Sequence, residues 1–167
     1  MENGRIKDDI IEINEVEVKR FYDRRCKDIS SKDNKYARYS ITMLHNTTVS
    51  KDRDDYEKKR ITPLLKIDNE SKILDLGCGT GRWADAFKNI DIKSYVGIDF
   101  SQESIDLCKH EYANSQKYHF YCGRLQTMDD ILSNEKIVLF NRALINGVFL
   151  YINDKDLYTI LKKQIIN

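Results

Sequence analysis

Four short apolar runs, set apart by amphipathic or polar stretches, organise this chain. Ile73, Leu74 and Leu76 form the first. Such a run suits a strand buried on both faces of a parallel sheet. Ser94-Tyr95-Val96-Gly97-Ile98-Asp99 is the second and Tyr118-His119-Phe120-Tyr121 the third. Ile137-Val138-Leu139-Phe140, the most apolar run of all, is the fourth, closed by Asn141-Arg142. Helical patterns lie between them. Residues 82–89 have helix-compatible composition. Ser101 caps a helix that turns Ile105, Cys108 and Tyr112 inward, with Glu103 in its first turn. Asn153 caps the last helix, with Leu157, Ile160 and Leu161 inward. Strands alternating with helices predict an α/β fold on a parallel sheet.

Ahead of the first strand the pattern is helical. Residues 1–12 are polar and read as frayed. From Glu15 to Lys27, Val18, Phe21, Tyr22 and Cys26 share one helical face. Tyr36 to Leu44 reads as a second short helix and Asn46 to Ser50 as a turn. Asp52 to Leu65 is a charged helix with Tyr56, Ile61, Leu64 and Leu65 inward, disturbed near its end by Pro63.

The first strand runs straight into Asp75-x-Gly77-x-Gly79-x-Gly81. Glycine tolerates positive φ and has no Cβ, so such a turn is tight and a ligand can press on bare backbone. A dinucleotide-binding turn asks for G-x-G-x-x-G/A, which Gly79-x-Gly81-x-x-Ala84 fits while leaving Asp75 and Gly77 unexplained. Asp99 ends the neighbouring strand, 24 residues after Asp75, where a carboxylate can bind both ribose hydroxyls of a nucleoside. That acid serves either kind of ligand.

The four-residue pattern of Asp75, Gly77, Gly79 and Gly81 resembles the first motif of the class I S-adenosylmethionine (SAM)-dependent methyltransferases. The likeness runs from about Lys72 to Ile166. It implies a Rossmann-like sheet in the order 3-2-1-4, with SAM as cofactor. The fifth strand and closing hairpin of that fold are missing, which implies a C-terminally truncated chain. The expected fourth strand would then form an open, apolar edge able to pair with a second copy. Carried over by position, Gly77 and Gly79 contact the methionine part, Asp75 holds its amino group, and Gly81 permits close packing. Asp99 takes the ribose, Phe100 and Leu125 approach the adenine, and Asn141 contacts the amino-acid tail. One departure is Arg124, where many members carry an acid for the adenine amino group; Gln126 or Asp129 makes that contact, or nothing does.

Composition narrows the partners. The 167 residues suit one domain, with residues 1–65 as a helical lid and 66–167 as the α/β core. A third of the residues are charged, yet the net charge is +1, which argues against a nucleic-acid partner. No stretch is apolar enough to span a membrane. The four cysteines show no C-x-x-C spacing and read as reduced thiols in a cytoplasmic protein, and no metal is called for.

Acceptor choice should live in the leading residues. Tyr22, Arg24 and Arg38, with Tyr36 and Tyr39, suggest an anion clamp, since guanidinium forks match carboxylate and phosphate. His45 is the candidate base; His119 sits mid-strand and His110 on a helix away from the strand ends. Residues 18–25 and 36–39 are similar to methyltransferases of bacterial capsule biosynthesis that act on a phosphoramidate. That likeness implies methyl transfer to an oxygen of a small, polar, phosphorylated metabolite. An NAD(P)-dependent oxidoreductase and a non-catalytic SAM-binding fragment are the alternatives.

Overall fold

The computed structural model describes residues 12–30, 47–135 and 139–165. Arg38, His45 and the helix expected over 36–44 lie outside them, as do Ile137 and Val138. Helix α1 spans Glu15–Ser30 and α2 spans Thr47–Leu65. Then follow β1 (Lys72–Leu76), α3 (Arg82–Phe87), β2 (Ser94–Asp99), α4 (Gln102–Glu111) and β3 (Tyr118–Cys122). A 3-10 turn at Leu125–Thr127 leads into α5 (Met128–Asn134). The order closes with β4 (Arg142–Ile145), a 3-10 turn at Phe149–Tyr151, and α6 (Asp154–Ile165).

The four strands are parallel, in the order β3-β2-β1-β4. This is the Rossmann-like order that the sequence implied. Side chains alternate across the pleat, so each strand feeds two cores. Ile73, Tyr95 and Phe120 pack with Trp83, Ala84 and Phe87 of α3 and with Ile105 and Cys108 of α4. Leu74, Leu76, Val96 and Ile98 face the other way, onto Met128 and Leu132 of α5 and Ile160 of α6. Helices therefore cover both faces, which is why β1 and β2 read as apolar runs.

The fourth strand is not the run that the sequence favoured. Arg142 to Ile145 pairs with Ile73 to Leu76, while Leu139 and Phe140 precede the strand and Leu139 is 70% exposed. Polar contacts fix this register. The Asn141 amide donates to the Glu70 carbonyl (2.9 Å) and accepts from the Lys72 amide (2.8 Å). Arg142 donates to the carbonyls of Leu65 (2.6 Å) and Lys66 (3.1 Å). The edge strand is thus Arg-Ala-Leu-Ile, not the Ile-Val-Leu-Phe edge expected as a dimer surface.

Two further expectations need correction. Thr47 to Ser50 are the first turn of α2, not a separate turn, and Tyr56 and Leu64 point to solvent. Ile61 and Leu65 do pack against the core, and the fully enclosed residues of α2 are polar, Ser50 and Asp54. Asn153 also does more than start α6. Its carbonyl accepts from Asp156 and Leu157, while its side chain pairs with both backbone groups of Ile13.

Helix α1 lies against α4. Cys26 is buried beside Leu107, Ser101 donates to an Asp23 carboxylate oxygen (2.6 Å), and Lys27 pairs with Glu103 (2.9 Å).

Candidate functional site

The loop from Gly77 to Gly81 is held in shape by backbone bonds and by one carboxylate. Gly77, Gly79 and Gly81 all have φ between 51° and 83°, the left-handed region that favours glycine. The Gly77 and Cys78 amides donate to the Ile98 carbonyl at 2.8 and 3.2 Å. Asp99 accepts from the Gly79 amide with one oxygen and from the Ser101 amide with the other, each at 2.9 Å. These bonds fix the carboxylate while leaving lone pairs on both oxygens for further donors. Burial pushes the Asp99 carboxyl above the usual range, and the two amides work against that.

A cavity of about 310 Å³ opens above this loop, at the C-terminal ends of the strands. Its middle is lined by Gly77, Gly79, Thr80, Trp83 and Asp99. A Cβ on Gly79 would meet no atom within 4 Å, so the loop leaves open space there. Trp83 is buried in the wall, and its indole N–H has no partner among the described residues. On the β3 side the lining is Phe100, Leu125, Glu15, Arg124 and Gln126. On the β4 side it is Ser50, Arg53, Arg82 and Asn146. Tyr22 and Tyr151, in edge contact at 5.4 Å between ring centroids, close the top.

The structure brings Gly77, Gly79, Asp99, Phe100, Leu125 and Tyr22 together around this cavity. Other residues singled out in the sequence lie elsewhere. Asp75 is 1% exposed and bonded to the Tyr95 hydroxyl, outside the lining. Burial raises its carboxyl to about 7, with the Tyr95 bond opposing and the Asp99 charge adding to the rise. Gly81 caps α3 with its Cα facing Cys108, so it packs rather than lines. Asn141 sits at the opposite end of the sheet, and Asn146, past the end of β4, reaches the cavity instead. Arg24 is exposed on α1, bonded to the Arg20 carbonyl. His110 and His119 are exposed and line no part of the cavity.

Sequence reasoning missed Glu15, Ser50, Arg53, Arg82 and Asn146. Only Arg82 had a local signal, its place directly after Gly81. The others depend on how α1, α2 and the end of β4 pack. Asp54 shows this: it is 2% exposed and bonds the Arg82 guanidinium (2.7 Å) and Lys58 (2.8 Å). Arg82 also pairs with Glu57 (2.7 Å) and lies over the Trp83 ring.

Comparison with known proteins places this geometry. Over 66 residues the chain is 39% identical to an uncharacterised protein of Methanocaldococcus jannaschii, a match covering 37% of this chain and 29% of that protein. Phosphoethanolamine N-methyltransferase 1 of Haemonchus contortus, crystallised with phosphoethanolamine and S-adenosylhomocysteine, superposes with a TM-score of 0.65. It is 16% identical, over 88% of this chain and 28% of that one. DhpI, in a complex with SAM and HEP, has a TM-score of 0.53 at 14% identity, over 86% of this chain and 55% of its own. The chain therefore spans well under two thirds of each of these relatives, and the two structures speak for the fold. A methyltransferase domain matches residues 73–164, more than half of the chain. The chain belongs to the methyltransferase-domain family.

Proposed function

We propose that this chain binds SAM in the cavity above the glycine loop and transfers its methyl group to an oxygen of a small polar, phosphorylated metabolite. The observation that carries the cofactor is Asp99. Its buried carboxylate shapes the Gly79 turn and still faces the cavity, as a site for paired hydroxyls requires. The residues present fit the cofactor. Gly79 leaves backbone open to its amino-acid part, and Phe100 and Leu125 offer apolar walls for a base. When bound, SAM supplies a methyl group on a sulfonium, whose departing thioether is neutral. The protein then has to align the acceptor and exclude water.

Arg53 and Arg82 support a phosphorylated acceptor. Guanidinium groups recognise phosphate by paired bonds, and both line the β4 side of the cavity. The similarly folded H. contortus protein was crystallised with phosphoethanolamine, itself phosphorylated. Helices α1 and α2, within residues 1–65, act as the lid, with Tyr22 in the lining and Arg38 ascribed to an anion clamp. His45 takes the proton if the acceptor is a hydroxyl; a phosphate oxygen needs no base. Capsule biosynthesis is the setting, on the likeness of residues 18–25 and 36–39.

Calorimetry with SAM, S-adenosylhomocysteine and NAD tests the cofactor. SAM and S-adenosylhomocysteine should bind and NAD should not. Asp99→Asn, checked for an unchanged melt, should weaken binding roughly tenfold to a hundredfold, as expected when a charged acceptor is neutralised. Binding of NAD without SAM would overturn the proposal.

A further inference from the structure

We infer that Glu15, at the start of α1, selects the base of the nucleoside ligand by accepting from the exocyclic amine of adenine. The inference rests on SAM being that ligand. The strand order sets the direction in which a ligand lies. Its amino-acid end belongs at the glycine loop after β1 and its ribose at Asp99 after β2. The base then falls on the β3 side, between the apolar side chains of Phe100 and Leu125. The polar groups lining that end are Glu15, Arg124 and Gln126.

Glu15 is the acceptor among them. Its carboxylate is 20% exposed and held by two neighbours. One oxygen accepts from Arg124 and the other from the Gln126 amide nitrogen at 2.7 Å. Each oxygen keeps a lone pair for a further donor. Arg124 offsets the charge, so a neutral base can approach without facing an uncompensated anion. An ionised carboxylate accepts and never donates. It therefore favours the amine of adenine over the carbonyl that replaces it in hypoxanthine. Anchoring of α1 does not require this residue, since Asp23, Cys26 and Lys27 already tie the helix to α4 and its cap.

The test is calorimetric binding of S-adenosylhomocysteine and of S-inosylhomocysteine, which carries oxygen in place of the amine. The folded chain should prefer the adenosyl ligand tenfold or more, the scale of one bond to a charged acceptor. Glu15→Gln can donate as well as accept, so the preference should collapse toward unity through gain by the inosyl ligand as well as loss by the adenosyl one. Equal weakening of both ligands, with the ratio kept, would reduce Glu15 to an anchor and overturn the inference. So would equal binding of the two by the unaltered chain, while leaving SAM binding intact. Binding of neither nucleoside by the folded, unaltered chain would overturn the proposed cofactor itself and this inference with it.

Discussion

Gly77 and Gly79 share the left-handed region but differ in what surrounds them. A Cβ on Gly77 would come within 2.2 Å of a Val148 methyl, beside a φ of +77°. Gly77→Ala should therefore destabilise the fold by about 2 kcal/mol or more, from backbone strain plus overpacking. A Cβ on Gly79 would stand in open space. Gly79→Ala should cost about 1–2 kcal/mol in stability and fill part of the cavity. Thermal melts and S-adenosylhomocysteine calorimetry separate the two, and a Gly79→Ala protein that binds as the parent does would contradict the assignment. Residue identity was legible here because the glycine spacing is local. The burial of Asp75 was not, since it depends on Tyr95 arriving from the next strand to meet it.

Helix α2 is held to the start of α3 by charge, beside the apolar contact of Ile61 and Leu65 with the core. Asp54 is the hub, enclosed between Arg82 and Lys58, and Glu57 pairs with Arg82 and Arg53. Removing one member of a buried ion pair strands its partner, so Asp54→Ala should cost about 3 kcal/mol. For a chain of this size that is about 6–12 °C in Tm. A melt within 2 °C or so of the parent would mean that α2 does not depend on this hub. The element's existence was readable, but its inward face only in part. Tyr56 and Leu64 are exposed, whereas Ile61 and Leu65 pack against the core as the pattern implied. Likewise the apolarity of residues 137–140 misplaced β4. Asn141 and Arg142, read as the close of a strand, instead fix its beginning through bonds to Glu70, Lys72, Leu65 and Lys66.

For the whole molecule, the buried Asp75 couples folding to pH. Its carboxyl rises from an ordinary 3.8 to about 7, chiefly through burial. The native state then keeps a proton that the unfolded chain releases. The contribution is fully present below about pH 4 and is lost as pH rises toward 7. Asp75→Asn should remove that share of the pH dependence, at most about 4 kcal/mol across the window. Denaturant melts at pH 4.5 and 7.5 measure it, and identical slopes in parent and variant would refute the shift. Among the described residues no helix is long and apolar enough to cross a membrane. The sequence by itself determined the α/β class, the strand–glycine-turn–helix unit and the acid ending β2, because period, glycine spacing and strand-terminal position are properties of neighbours along the chain. Only the tertiary structure decided which residues share the cavity. Glu15 meets Arg124 and Gln126 across more than a hundred residues, and Ser50 and Arg53 of α2 converge with Arg82 of α3. Such meetings are set by how helices dock on the twisted sheet and by which buried charges find partners, and no local pattern encodes either.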